Sequence, residues 1–240
     1  MDTLQGDIGI EVDGKIMDGF LARPATGEEM HPAVIMIHDI KGVSDHARDV
    51  TNRFAQQGYV TLAPNLFWNV RVPDFTDRSS MMRFRQTLDD EQMIRDIDAA
   101  LAHLRDRPEV NVVHVGIVGF CMGGYFASLA ALRNPSLAAC VDFYGAPLTR
   151  LLESVGELRV PFLGLFGDQD QSIPLEQVEQ LDAALDETRL PHEIRIYPGA
   201  GHAFFNDTSP SYNQTAAQDA WPRVLTFFAE HLQRSPAPIL

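Results

Sequence analysis

Short apolar runs alternate with longer mixed stretches along most of the chain. Six continuous apolar runs predict strands that are buried on both faces, and they lie at 33–37, 59–63, 112–118, 138–143, 160–166 and 193–197. Candidate helices lie between these runs, near 46–57, 89–106, 122–133, 175–187 and 215–233. The alternation predicts right-handed crossovers and an α/β fold of three layers, with a mostly parallel sheet between helices.

The first residues follow a different pattern. Ile8, Ile10 and Val12 alternate with polar or small residues, Asp13-Gly14 is typical of a tight turn, and 16–21 reads as the returning strand. This pattern predicts an antiparallel hairpin. The chain contains no internal repeat or linker long enough to separate domains, so we expect a single domain over residues 1–240. Residues 64–88 are the least regular segment and predict a functional loop.

The charge and the cysteine content exclude several classes of partner. The net charge of −14 would repel phosphate backbones and acidic lipid, so neither nucleic acid nor a membrane surface is an expected partner. Two cysteines cannot form a disulfide framework. No apolar run reaches the ~18 residues of a membrane span, and the acidic start does not resemble a signal peptide. We therefore expect a cytoplasmic protein, monomeric or homodimeric.

The most informative segment is a buried strand that leads into Gly119-Phe120-Cys121-Met122-Gly123-Gly124 and then an apolar helix. This order matches the nucleophile elbow, in which glycines two residues on either side of the nucleophile admit a strained strand-to-helix turn. Cys121 occupies the nucleophile position, where the helix N-terminus stabilises a thiolate. The alternative is a small buried cysteine in a glycine-rich turn. Cys140 lies within an apolar strand and is expected in the core.

The acid and the base of a triad are expected after later strands, in the order nucleophile, acid, histidine. Asp168 and Asp170 follow the 160–166 strand, and Asp170 is our choice for orienting an imidazole, although both aspartates also suit a turn or a helix cap. His202 follows the 193–197 strand in a glycine-rich loop and is the predicted general base.

Together these segments resemble the dienelactone hydrolase family (carboxymethylenebutenolidases) of α/β-hydrolases. The resemblance is carried by the Gly119–Gly124 elbow, by 167–174 and by Gly199-Ala200-Gly201-His202-Ala203-Phe204. It implies an α/β-hydrolase fold and a triad of Cys121, Asp170 and His202. It further implies hydrolysis of a small-molecule ester or lactone through a thioester, with no metal or organic cofactor.

The resemblance also implies roles around the triad. Two backbone N–H groups form the family's oxyanion hole, and they match Met122 and Ile40. A family glutamate that interacts with the resting thiol corresponds to Asp39, which is one methylene shorter. Family members that act on dienelactone bind its carboxylate with two arginines. Arg78 is the nearest match to the first, but Asn206 occupies the position of the second, which weakens the case for dienelactone itself.

Other residues are candidates for the substrate pocket, namely Arg83, Arg85, Trp68 and Phe204. His38, Asp39, Asp45, His46 and Asp49 crowd together, but solvated or helix-capping roles are favoured over a metal site for this group. Two other functional classes stay open: a thiol redox protein that oxidises Cys121, and a non-catalytic ligand-binding module on the same fold.

Overall fold

The computed structural model of the protein describes residues 1–25 and 29–232. Within these ranges eight strands form one sheet, in the spatial order β1-β2-β4-β3-β5-β6-β7-β8. The strands are β1 (Thr3–Val12), β2 (Lys15–Pro24), β3 (His31–Ile37), β4 (Val60–Pro64), β5 (Val110–Phe120), β6 (Ala139–Phe143), β7 (Phe162–Gly167) and β8 (His192–Tyr197). The helices are α1 (Asp45–Gln56), α2 (Arg78–Thr87), α3 (Asp90–Arg105), α4 (Met122–Arg133), α5 (Thr149–Ser154), α6 (Leu175–Asp186) and α7 (Gln214–Leu232), with a 3₁₀ helix at Val155–Glu157.

The sheet is mostly parallel, as the sequence predicts. β1 and β2 form an antiparallel hairpin, and β2 also pairs antiparallel with β4. All remaining neighbours are parallel. Because the carboxyl ends of parallel strands meet at one edge of a sheet, the loops that follow β3, β5, β6, β7 and β8 share that edge. The α/β fold with an antiparallel N-terminal hairpin is therefore confirmed.

The central strands provide a rigid base for that edge. Every residue of β4, β6 and β7 is buried, as are the last five residues of β3 and the last six of β5. Strands buried on both faces need apolar residues at successive positions, which explains the continuous runs in the sequence. Among the described residues, no helix is long and apolar enough to span a bilayer.

The segment 64–88 differs from its prediction as an irregular loop. Its second half forms α2, which begins after a reciprocal cap: the Asp77 side chain accepts from the Ser80 N–H, and Ser80 Oγ accepts from the Asp77 N–H. The cap escapes the usual sequence pattern because serine replaces Glu or Gln at its last position. The buried residues Phe84 and Leu88 show the helical spacing. The short helix α5 was not predicted either.

The predicted single domain over residues 1–240 stays a prediction. Residues 26–28 and 233–240, including the expected end of the last helix at 233, lie outside the described part of the chain.

Candidate active site

Cys121 sits on a strained turn between β5 and α4. Its φ of 57° and ψ of −121° place a non-glycine residue in a sparsely populated region of backbone conformation. Such a conformation costs about 1–3 kcal/mol and persists only where the surroundings impose it. The Cys121 N–H donates to the Phe143 carbonyl oxygen at 2.9 Å, which ties the turn to the end of β6. The side chain is partly exposed.

The three glycines around Cys121 are required by close backbone approach. A Cβ on Gly119 would overlap the Gly123 carbonyl oxygen, and a Cβ on Gly123 would overlap the Ile37 carbonyl oxygen. A Cβ on Gly124 would overlap a carboxylate oxygen of Asp142. The first turn of α4 therefore lies directly against the ends of β3, β5 and β6. This packing is the physical reason for the glycine pattern of the predicted elbow.

The imidazole of His202 bridges the other two predicted triad residues. Its Nε2 lies 3.0 Å from Cys121 Sγ, and its Nδ1 lies 2.7 Å from Asp170 Oδ2. The second oxygen of Asp170 accepts the Ser172 N–H at 2.7 Å, and the Asp170 side chain is 1% exposed. Asp168 has a different partner, because its carboxylate accepts the Gly199 N–H at 2.7 Å. Asp170 therefore contacts the imidazole, whereas Asp168 holds the loop that carries it.

The surroundings of His202 favour its protonated form. Burial lowers the pKa of His202, but the hydrogen bonds to Asp170 and Cys121 and the negative charges of both groups outweigh burial and raise it to about 10. A cationic imidazole beside the sulfur is the arrangement in which a thiolate is stabilised.

The loop after β3 lies on the other side of Cys121. A Cβ on Gly123 would also overlap the His38 carbonyl oxygen, so the start of this loop packs against the first turn of α4. Ile40 follows two residues later and is buried. Met122 is the first residue of α4, and N–H groups in a first helical turn have no partner within the helix. The carboxylate of Asp39 accepts the Lys41 N–H at 2.8 Å, and its action on the resting thiol stays a prediction.

Comparison with known proteins identifies the family. A model of the dienelactone hydrolase family matches residues 17–232. The chain belongs to this family. A relative in Yersinia pestis, provisionally named a carboxymethylenebutenolidase, is 35% identical over 238 residues, covering 94% of this chain and 88% of the relative. An Escherichia coli K12 relative with the same provisional name is 36% identical over 237 residues, covering 94% of this chain and 87% of the relative.

A solved structure gives the same result. The crystal structure of a provisionally named dienelactone hydrolase from Klebsiella pneumoniae is 33% identical, with a TM-score of 0.89 over 96% of this chain and 100% of that chain. The protein is therefore a hydrolase of lactones or esters with a small-molecule substrate.

Of the residues predicted to bind the substrate of this hydrolase, Arg78 lies beside the predicted triad. Its Nη2 donates to Ser172 Oγ at 2.8 Å, two residues beyond Asp170. Arg83 lies on the same helix and is exposed. Asn206 is buried, and its side-chain oxygen accepts from the Thr208 N–H and hydroxyl.

The other three candidates have structural partners instead. Arg85 pairs with Asp90 at 2.9 Å and lies over the rings of Tyr125 and Phe126. Trp68 Nε1 donates to the buried Asp96 at 3.0 Å, which ties the loop after β4 to α3.

Phe204 is fully buried, and its ring packs against Phe143, Tyr144 and Tyr197. Its ring therefore fills the core behind His202 and does not face the solvent, contrary to the expected place in the pocket. The sequence motif places Phe204 two residues after His202, and this closeness in sequence does not reveal the inward orientation of the ring.

Two residues at the end of β6 were missed by the sequence analysis. The Tyr144 ring lies 5.2 Å from the His202 ring, and burial together with negative charge at Asp39, Cys121 and Asp170 raises the pKa of its phenol well above the usual value. Tyr144 therefore keeps its phenolic proton beside the imidazole. Its position directly after a buried parallel strand was the available signal.

Asp142 is the second missed residue. Its carboxylate is fully buried and accepts from the Gly145 N–H at 2.7 Å and the Ser128 hydroxyl at 3.1 Å. Burial raises the pKa of Asp142 to about 7, although these hydrogen bonds and the charge of His202 act in the opposite direction. The Asp142 carboxylate lies against Gly124 and so supports the nucleophile elbow.

The crowded histidines and aspartates after β3 do not come together as ligands. Across residues 1–25 and 29–232, no group of three or more His, Cys, Asp or Glu side chains is arranged to hold a metal ion. His38 and His46 lie in separate environments. The His46 ring lies between the rings of Phe120 and Phe205.

Proposed function

We propose that this lactone or ester hydrolase uses Cys121 as its nucleophile and passes through a thioester. The observation that carries the proposal is the continuous contact from Cys121 Sγ through the His202 imidazole to the buried Asp170 carboxylate. Three groups in this order match a nucleophile, its base and the group that orients the base. The raised pKa of His202, about 10, supports a resting imidazolium beside a thiolate.

In the first half of the reaction, the thiolate attacks the substrate carbonyl carbon and the carbonyl electrons move onto oxygen. The N–H groups of Ile40 and Met122 would stabilise this oxyanion, an effect worth ~3–4 kcal/mol per donor in enzymes where it was measured. The intermediate collapses to a thioester as the carbon–oxygen bond breaks. His202 gives its proton to the departing alkoxide or enolate.

In the second half, the neutral imidazole takes a proton from a water molecule, and the oxygen of that water attacks the thioester carbon. The carbon–sulfur bond then breaks, which releases the carboxylic acid and restores the thiolate and imidazolium. Asp170 holds the imidazole in one tautomer throughout both halves. Cysteine nucleophiles suit activated leaving groups, so enol lactones and aryl esters are the preferred class.

The thiol redox alternative has less support. Cys140 is fully buried within β6, where burial raises the pKa of its thiol, and it pairs in register with Ile117, four residues before Cys121. A resolving cysteine needs access and thiolate character, and Cys140 has neither. A non-catalytic binding module would not need the strained Cys121 backbone or the buried Asp170.

A panel of dienelactone, neutral lactones and activated aryl esters tests the proposal. We expect wild-type turnover on at least one substrate, its loss in Cys121→Ala, and its retention in the matched control Cys140→Ala. Turnover that survives Cys121→Ala would contradict the proposed nucleophile. Peroxide-dependent oxidation of Cys121 without ester turnover would favour the redox alternative.

We also propose a cytoplasmic location and a monomeric or homodimeric state. The location is supported by two cysteines that lie apart in the fold and form no disulfide. Light scattering of the purified protein measures the mass and tests the oligomeric state.

A further inference from the structure

His38 directly follows β3 and is held in a single hydrogen-bonded orientation. The residue is 1% exposed, and its ring packs edge-on against Phe67 at 4.7 Å between ring centres. The Leu66 N–H donates to Nε2 at 3.1 Å, so this nitrogen is an acceptor and carries no proton. Nδ1 therefore carries the proton and donates to the Asp39 carbonyl oxygen at 2.7 Å. Burial lowers the pKa of His38, in agreement with a neutral ring.

The hydrogen bond from His38 acts on one particular peptide group. The Asp39 carbonyl belongs to the same planar unit as the Ile40 N–H, the proposed oxyanion donor, and in a trans peptide the two point in opposite directions. The carbonyl oxygen accepts a second hydrogen bond from the Gly42 N–H at 3.1 Å. Two donors on the oxygen fix the direction of the Ile40 N–H and polarise it, because hydrogen bonds in a chain strengthen one another.

We propose that His38 is a positioning residue for the oxyanion hole, acting through the Asp39–Ile40 peptide. This inference rests on the proposed function, since it assigns a task to the Ile40 N–H. The neutral imidazole connects the loop after β4, through Leu66, to the peptide that faces the reacting carbonyl. Preorganised donors stabilise a developing oxyanion because they do not reorient during the reaction.

A merely structural role for His38 makes a different prediction. If His38 only joins two loops, its replacement would affect Cys121 reactivity and turnover alike. If it aims the Ile40 N–H, its replacement would affect reactions that form an oxyanion and spare those that do not. Alkylation of Cys121 by iodoacetamide proceeds at a saturated carbon and forms no oxyanion, whereas hydrolysis of an aryl ester does.

The test compares His38→Leu, which removes both hydrogen bonds, with His38→Gln, whose amide keeps a donor and an acceptor. His103→Gln on α3 is the matched control, because His103 is a partly buried histidine outside the site. We expect kcat on an aryl ester to fall about 10-fold to 100-fold in His38→Leu, somewhat less than after loss of a whole donor. KM and the rate of Cys121 alkylation stay near wild type, and His38→Gln recovers most of kcat.

His38→Met, with a flexible apolar chain that adapts to the same space, gives the same comparison in a second variant. Unchanged kcat in His38→Leu and His38→Met, or alkylation rates that fall in parallel with kcat, would overturn the role of His38 while leaving Cys121 as the nucleophile. Turnover that survives Cys121→Ala would overturn the proposed function itself and the role of His38 with it.

Discussion

The Nε2 atom of His202 lies 3.0 Å from the Sγ atom of Cys121, although 81 positions separate the two residues. The sheet produces this contact, because β5 and β8 both end at the edge where Cys121 and the His202 loop begin. The distance suits transfer of a proton between sulfur and nitrogen.

The alkaline limb of the pH profile tests the partner of His202. The pKa of His202 is raised to about 10 because Asp170 and Cys121 favour the imidazolium. We therefore expect kcat/KM to fall as the pH rises through about 10, where the imidazolium that protonates the leaving group is lost. Asp170→Asn removes a charge that favours the imidazolium, so the limb moves to lower pH by about 1–3 units.

Asp168→Asn is the control for that profile, since Asp168 contacts Gly199 and not the imidazole. Rates are measured between pH 6 and pH 11 with the uncatalysed rate subtracted. Identical limbs in wild type and Asp170→Asn would contradict the assigned partner.

Asp142 should reduce stability as the pH rises. Burial raises its pKa to about 7 in the folded protein, above the ordinary value of about 4. The stability that this group contributes is fully present below pH 4, is lost as the pH rises to about 7, and changes little above that. A pKa difference of about three units is worth up to about 4 kcal/mol.

Asp142→Asn removes this dependence while keeping an acceptor for the Gly145 N–H. We expect the variant to gain stability over wild type at pH 8 and to lose that advantage at pH 4. Thermal unfolding at both values measures it, with the exposed Asp74→Asn as control. If the stability difference between Asp142→Asn and wild type is equal at the two pH values, the raised pKa of Asp142 is refuted.

Gly123→Ala should prevent stable folding of the elbow. The added Cβ overlaps the carbonyl oxygens of Ile37 and His38, which are backbone atoms that cannot move independently. We expect a loss of about 3 kcal/mol or more in the free energy of unfolding. Gly156→Ala is the matched control, because its added Cβ meets no atom within 4 Å. Urea unfolding measures both, and equal stabilities would show that the close approach is absent.

Arg78→Ala should change substrate preference more than turnover. Arg78 donates to Ser172, two residues beyond the proposed acid Asp170, so its charge lies near the proposed site. If it attracts a substrate carboxylate, the variant should raise KM for an anionic lactone about 10-fold, the effect of a lost charge-assisted contact of ~1.4 kcal/mol. KM for a neutral aryl ester stays unchanged. The exposed Arg95→Ala on α3 is the control, and equal shifts on both substrates would oppose anion binding.

The elbow could be predicted from the sequence because its constraint is local and leaves few residue choices. Gly119, Gly123 and Gly124 stand where backbone or a carboxylate leaves no space for a Cβ, so the pattern itself reports the geometry. The contact of His202 with Cys121 and Asp170 could be anticipated because parallel strands bring their carboxyl ends together. The sheet could be predicted from the continuous apolar runs, because a strand that is buried on both faces needs apolar residues at successive positions.

Side-chain directions depend on distant partners, and the sequence does not reveal them. Phe204 points into the core because Phe143, Tyr144 and Tyr197 offer an aromatic environment there. Arg85 is committed to Asp90 five positions away, across the gap between two helices. The buried carboxylate of Asp142 is accommodated by Gly145 and Ser128, and no pattern along one strand indicates such partners.

Direct detection of the acyl-enzyme tests the central claim. The protein is mixed with an activated aryl acetate, quenched in acid during the first turnovers and digested, and the peptide masses are measured. We expect the mass of one acetyl group on the peptide that contains Cys121. Hydroxylamine should remove this group, as it removes a thioester. Digests of Cys121→Ser should contain no acetyl group that is bound as a thioester. An acetyl group on another residue during productive turnover, with Cys121 unmodified, would contradict the mechanism.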